Sequence, residues 1–370
     1  HIHATSGDIT VSDSLDLDSG AAAGATFTSD AGDITFTNAV DANAAGTESI
    51  IVNALGGTVD FQAAVGATKA LGGITINAKA SGFGSTVTTD DTTGISGNIL
   101  VQGTGNTHTI TGNVNTGGGD WIIQDDVVVA ADSTVDTDGG DLRVTGVIND
   151  NGDRALGLTA DAGDLTLESS VGTIDALGSL TLISTGDTEI NGEIRTVNAI
   201  TFTGATNIEL GSDVSLVASN AAGDILLDGG AIDGAFELTA TAGDNITIDG
   251  VGATTPLQRL RLVTTGATGN IDIADNIIAV DSSEFITTGG TDISVGGGVV
   301  AADAIFNAAT IVNFTAAQNN TAGNITATAG TLIDVDQAIT AAGDVTFNIT
   351  LASDLGAELT AGNDLSLLGG

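Results

Sequence analysis

One phrase recurs along this chain and restricts its folding more than any other feature: a small residue, Gly, Asp or Asn, then apolar–Thr–apolar. It reads SGDITV at 6–11, AGDITF at 31–36, LGGITI at 71–76, SGNILV at 96–101, GGDLRV at 139–144 and AGDLTL at 162–167. It continues as LGSLTL at 177–182, AGDILL at 222–227, AGDNITI at 242–248 and TGNIDI at 268–273, and ends with AGNITA at 322–327, AGDVTF at 342–347 and AGNDLSL at 361–367. Asp120 to Asp141 is 21 residues, Asp141 to Asp164 is 23 and Asp8 to Asp33 is 25. Within the phrase the apolar residues stand two apart, as in Ile34/Phe36 and Leu165/Leu167. That period sends both to one face of a strand and the intervening Thr to the other. A second alternating stretch follows each phrase, such as TVDTD at 134–138 or FELTA at 236–240. A degenerate period of this length with a constant strand phrase predicts a β-solenoid.

The expected fold is therefore all-β: a parallel β-helix of about 17 coils of roughly 20–25 residues, without capping helices, forming one continuous repeat domain over 1–370. Coils stacked at roughly 4.8 Å would reach on the order of 80 Å. Ile, Leu, Val and a few Phe would fill the inward columns, with Gly and Asn supplying positive φ at the corners. Pro is nearly absent, as expected where each N–H serves a neighbouring coil; Pro256 precedes LQRLRLV, at a strand entrance.

Composition narrows the function classes. The chain has 47 acidic and 7 basic residues, a net charge of −40, so nucleic acid is not an expected partner. Cys is absent, which removes disulfides, thiolate metal sites and thiol nucleophiles. No apolar run is long enough for a membrane-spanning helix, and no membrane insertion is expected. The 53 glycines lack a three-residue period, and 41% hydrophobic residues argue against disorder.

The AGDIT/AGDLT phrase, repeated in a Gly-, Thr- and Asp-rich chain without Cys, resembles the haemagglutinin-type repeats of large bacterial secreted adhesins. The resemblance covers nearly the whole chain and carries no catalytic motif. It implies a right-handed parallel β-helix, secreted or displayed on the cell surface, serving adhesion or matrix building.

For the phrase aspartates Asp33, Asp141, Asp164, Asp224, Asp244, Asp344 and Asp364, two readings stand. Stacking would line them into an acidic column that Ca²⁺ could bridge, since that ion takes several oxygen ligands. Alternatively they form turns or solvate the surface, which the missing Gly-Gly-x-Gly-x-Asp nonapeptide favours. Arg259 and Arg261, two apart and outward on one strand, are expected to break an acidic face near Asp244 or Asp272. A lyase site would need such a cation beside clustered carboxylates, and no coherent base, acid and cation set is legible, so no enzyme activity is expected. The adjacent pairs Asp125/Asp126 and Asp90/Asp91 would point to opposite faces within a strand, and are read as marking turns. Trp121 alternates with Ile123 and is expected inside, and the histidines His1, His3 and His108 are read as incidental.

The ends complete the reading. An ordinary phrase stands within the first dozen residues, and another closes the chain. Ile9, Val11, Leu365 and Leu367 would then be open stacking surfaces for copies of the same chain. The expectation is an extracellular filament subunit or fibrous adhesin, part of a longer chain or a polymer, with surface glycans as a further partner. The alternative is a β-helix protein that binds or cleaves polysaccharide.

Overall fold

The computed structural model describes residues 1–18, 24–90, 97–103, 106–289 and 292–369. The chain is all-β, without a helix among the described residues, and its parallel strands stack as a β-solenoid of about 16 turns. Among the described residues no helix is long and apolar enough to cross a membrane. The chain divides into two compact units, His1–Glu189 and Ile190–Gly370.

In the first unit each coil lays strands on three faces. The coil beginning at Trp121 shows the plan: Trp121–Ile123 on one face, Asp126–Val129 on the next and Ser133–Asp136 on the third. On the first face Trp121 lies in register between Ile99 and Leu142, and Leu142 faces Leu165. On the second, Ile34 faces Val59, and Val127 faces Ile148. On the third, Val135 lies between Val114 and Leu158. Every one of these pairings is parallel, so each side chain sits above its counterpart one coil away.

Alternation then builds the core. Trp121 and Ile123 are fully buried, while Ile122 between them is half-buried on the outer face. Rings stack along the unit: Phe36 lies 4.6 Å from Phe61, and Phe61 lies 5.6 Å from Phe83. His108 closes the row edge-on against Phe83 at 5.0 Å. Phe is thus used as a continuous column, which exploits stacking contacts along the axis as well as burial.

The second unit repeats the arrangement. One face carries Ile200, Ile225, Ile246, Ile271 and Ile293 in successive register. Another stacks Leu238 on Leu260 and Leu260 on Ser283, and pairs Phe285 with Phe306. Its aromatic column has Phe285 and Phe306 stacked at 5.0 Å and Phe314 and Phe347 at 6.3 Å. Pro256 immediately precedes the strand Leu257–Thr264, where its missing donor is tolerated.

Glycines at the corners have two separate causes. At Gly139 the backbone has φ 106° and follows Asp138 at φ 52°, a left-handed turn that suits Gly. At Gly163 the requirement is space instead: a Cβ there would meet the Gly140 carbonyl oxygen at 2.1 Å. Close approach of the coil before it therefore fixes Gly163, whereas Gly7 and Gly97, which precede Asp8 and Asn98, have the expected positive φ of 91° and 54°.

Candidate functional site

The phrase aspartates are the most repeated polar feature, and their geometry assigns them a job inside the stack. Oδ1 of Asp141 accepts the backbone N–H of Asp164 at 3.0 Å, while the N–H of Asp141 itself donates to Oδ1 of Asp120 at 3.0 Å. Asp164 repeats this by accepting from the N–H of Asp187 at 3.0 Å. Asp33 accepts from Thr58 N–H and donates its own N–H to Asp8. In the second unit Asp224 accepts from Asn245, and Asp344 accepts from Asp364. Each carboxylate thus satisfies a corner N–H of the following coil, a group that would otherwise lie outside the ladder.

Asn fills the same position with the same bond. Asn98 accepts from Asp120 at 2.8 Å, Asn245 from Asn270 at 3.0 Å and Asn324 from Asp344 at 2.8 Å. One short side chain with one acceptor oxygen is what the rung demands, which explains the Asp/Asn interchange in the phrase.

Two expectations are corrected here. The seven aspartates do not form one column, because the phrase visits different faces. Phrase strand Ile34–Phe36 lies on the second face of its unit, whereas Leu142–Val144 and Leu165–Leu167 lie on the first. In the second unit Ile225–Leu227 pairs with Ile246–Ile248, while Val345–Ile349 pairs with Leu365–Gly369 in the other sheet. Asp244 is also not the rung residue of AGDNITI. The register aligns Ile225 with Ile246, so Asn245 takes the rung, and Asp244 instead accepts the Thr268 hydroxyl at 2.9 Å.

Bridging by calcium requires several oxygens converging on one point. Among the described residues no group of three or more His, Cys, Asp or Glu side chains comes together in that way. The rung geometry gives a direct discriminating prediction. Asp141→Asn keeps the acceptor and removes a negative charge, so its melting temperature is expected to equal or exceed that of the parent, with or without calcium. Asp141→Ala leaves the Asp164 N–H unpaired and is expected to cost about 1–2 kcal/mol. Thermal melting of both variants in calcium and in chelator checks this, and a loss in Asp141→Asn confined to calcium buffer would favour the bridging reading.

A second set of polar groups was missed by sequence reasoning. Buried hydroxyls bond the corners: Thr137 Oγ1 donates to the Gly140 carbonyl at 2.5 Å and Thr116 to the Gly119 carbonyl within their own coils, while Ser184 Oγ reaches back one coil to the Gly163 carbonyl at 2.8 Å. Thr264 donates to the Gly269 carbonyl of its own coil at 3.1 Å. The signal was present as a Ser or Thr a few residues ahead of the phrase Asp or Asn, as in T-D-G-G-D at 137–141 and S-T-G-D at 184–187.

Arg143, Arg259 and Arg261 are engaged with carboxylates across neighbouring coils, while Arg195 pairs with Glu193 on its own strand. Arg261 Nε donates to Glu284 at 2.7 Å, Arg259 lies 3.6 Å from Glu237, and Arg143 Nε donates to Glu168 at 2.6 Å. The expected neighbours of the arginine pair, Asp244 and Asp272, are replaced by Glu237 and Glu284, which the strand register places directly opposite. Like charges also accumulate. Partial burial, then Asp336 and Asp354, raise the pKa of Asp334, and burial followed by Asp292 raises that of Asp272.

Asp125 stands at the corner just before the strand Asp126–Val129, in keeping with the turn expected there; it is buried, and Asp126 is half-buried on the outer side. Burial is the main cause that raises the Asp125 pKa, opposed by the backbone N–H of Asn106 and aided by Asp126. Asp91 lies outside the described residues. His3 Nε2 sits 3.1 Å from Asp30 Oδ1 at the surface. His108 is fully buried; its Nδ1 shares a 2.8 Å hydrogen bond with the Ser81 hydroxyl, and Nε2 has no partner among the described residues. Burial lowers its pKa to about 4, so the ring is neutral at pH 7.

Of the expected stacking residues, Ile9 and Val11 are half-buried, while Leu365 and Leu367 are 48% and 51% exposed. Comparison with known protein families, with curated proteins and with solved structures returned no match for this chain.

Proposed function

We propose that the chain is a structural segment of an extracellular filament or fibrous adhesin, of the kind that haemagglutinin-type repeats build, and that its solenoid ends stack on further coils. The observation that carries this reading is the rung bond, in which the Asp or Asn side chain of one coil accepts a backbone N–H of the next, as Asp141 does from Asp164 and Asp344 from Asp364. Leu365 and Leu367 are half exposed, whereas Val345 and Phe347, their register partners one coil inward, are fully buried. In the first unit Ile2 is 51% exposed above buried Phe27. A further coil laid in parallel on Leu365–Gly369 would cover Leu365 and Leu367 as they cover Val345 and Phe347. Such a contact joins unlike surfaces and does not close, so it propagates. The polar phrase residues support the same reading, since they serve coil-to-coil bonding.

Sedimentation and electron microscopy of the purified chain over rising concentration test it. End-to-end oligomers are expected, and Leu365→Asp with Leu367→Asp should abolish them while leaving circular dichroism unchanged. A strictly monomeric chain at high concentration would remove the self-stacking reading.

A further inference from the structure

We propose that the outer face of the first unit carries a binding cleft for an uncharged oligosaccharide, built on a row of side-chain amides at Asn53, Asn77, Gln102 and Gln124. This site lies on the flank of the sheet and goes beyond the stacking role of the ends.

The row is set by register. Asn53 faces Asn77, Asn77 faces Gln102, and Gln124 follows Ile123, which faces Val101. Four consecutive coils therefore present one carboxamide each, at roughly the 4.8 Å interval of parallel strands. The first members bond to one another: Asn77 Nδ2 donates to Asn53 Oδ1 at 2.6 Å, and Asn53 Nδ2 donates to Thr28 Oγ1 at 3.3 Å. The chain of bonds stops there. Gln102 and Gln124 make no side-chain hydrogen bond among the described residues, and both border a cleft of about 380 Å³ that Asn77 and Asn106 also line. That volume lies within the range of small-ligand sites.

The floor and wall complete the site. Gly103 gives a floor without a side chain, and Asp125 lies beneath it. A Cβ on Gly103 would meet the Asp125 Oδ2 at 2.4 Å. Asp125 is 3% exposed, and its Oδ1 has no hydrogen-bond partner among the described residues, so an acceptor with unused capacity underlies the cleft. Leu55, 59% exposed, supplies an apolar wall, and Lys79 is exposed beside it.

These groups select among ligand classes. A carboxamide donates and accepts together, which matches the neighbouring hydroxyls of a sugar, while an aliphatic wall suits its C–H face. An anionic polymer would meet the field of a chain with net charge −40. A peptide adding as a β-strand needs a free edge, and the strand Gly73–Phe83 is paired on both sides. The row runs along the stacking direction, so an extended glycan laid along it meets one amide per coil.

Calorimetric titration of the full chain with cellohexaose, xylohexaose, mannohexaose and chitohexaose, and with hexagalacturonate as the acidic control, tests the proposal. At least one neutral hexasaccharide is expected to bind, hexagalacturonate is not, and Gln102→Ala should weaken binding roughly tenfold. Gln102 holds no side-chain hydrogen bond among the described residues, so the melting temperature of Gln102→Ala should stay unchanged, and Gln102→Asn should restore part of the affinity. Absence of binding by all four neutral sugars, equal binding of hexagalacturonate, or full affinity in Gln102→Ala would overturn it. None of these outcomes depends on whether the chain stacks end to end.

Discussion

Phe61→Ala is expected to lower the stability of the first unit by about 3–5 kcal/mol, the range for removing a large buried ring. Phe61 lies between Phe36 and Phe83 in the ring column and is fully buried. In a stack of parallel coils the cavity cannot be filled from the side, because each neighbour is held in register by its own ladder. The loss should therefore stay near the upper end of that range, and Phe61→Leu should cost distinctly less. Denaturant titration followed by hydrogen exchange checks both the size and the location, with the weakened amides clustered in the coils of Phe36, Phe61 and Phe83. A midpoint shift equivalent to under about 1 kcal/mol would mean that the ring column contributes little.

The second large effect is a dependence on acid. His108 is neutral in the folded chain, its pKa lowered by burial from 6.5 to about 4. Between those values the unfolded chain holds a proton that the folded chain does not. The contribution of the neutral ring is complete above pH 6.5, declines as pH falls toward 4 and is constant below. A shift of that size corresponds to about 3 kcal/mol. Asp125, Asp272 and Asp334 act in the opposite sense, since a carboxyl with a raised pKa is protonated more readily in the folded chain and its penalty is relieved by acid. Comparing the parent with His108→Phe isolates the histidine. The stability difference between the two should change by roughly 3 kcal/mol from pH 7 to pH 4, and parallel curves would refute the assignment.

The solenoid was legible because its signal is local. Apolar–Thr–apolar beside Gly-Asp identifies a strand and a corner wherever it occurs, and burial of Ile34, Phe36, Leu165 and Leu167 follows directly. The face on which a given phrase lands was not legible, because that depends on the summed lengths of all preceding corners. The strand Ser49–Phe61 shows why: it serves two faces, and its register against Gly73–Phe83 shifts between Ala54 and Thr58. A shift of this kind moves later phrases around the coil without altering them. The arginine partners failed for the same reason, since Glu237 and Glu284 are opposite Arg259 and Arg261 only in the actual register. The amide row had a local signal, since Asn53, Asn77, Gln102 and Gln124 each directly follow an apolar-x-apolar strand, but which amides align on one face depends on the register. Trp121 and Pro256, whose placement rests on immediate neighbours, were read correctly.

The rung position has a consequence for how such a chain can vary. Asp and Asn occupy it with the same N–H acceptor bond, as Asp141, Asp164, Asn98 and Asn324 demonstrate. They differ by a full elementary charge. Substitution at a rung therefore resets the electrical character of the molecule while leaving its backbone untouched, and every coil with a rung offers one such independent setting. Mutual repulsion between neighbouring molecules and the counterions they gather both follow from that count. The architecture thus separates two properties that are usually entangled in a folded protein, and lets the surroundings select one without disturbing the other.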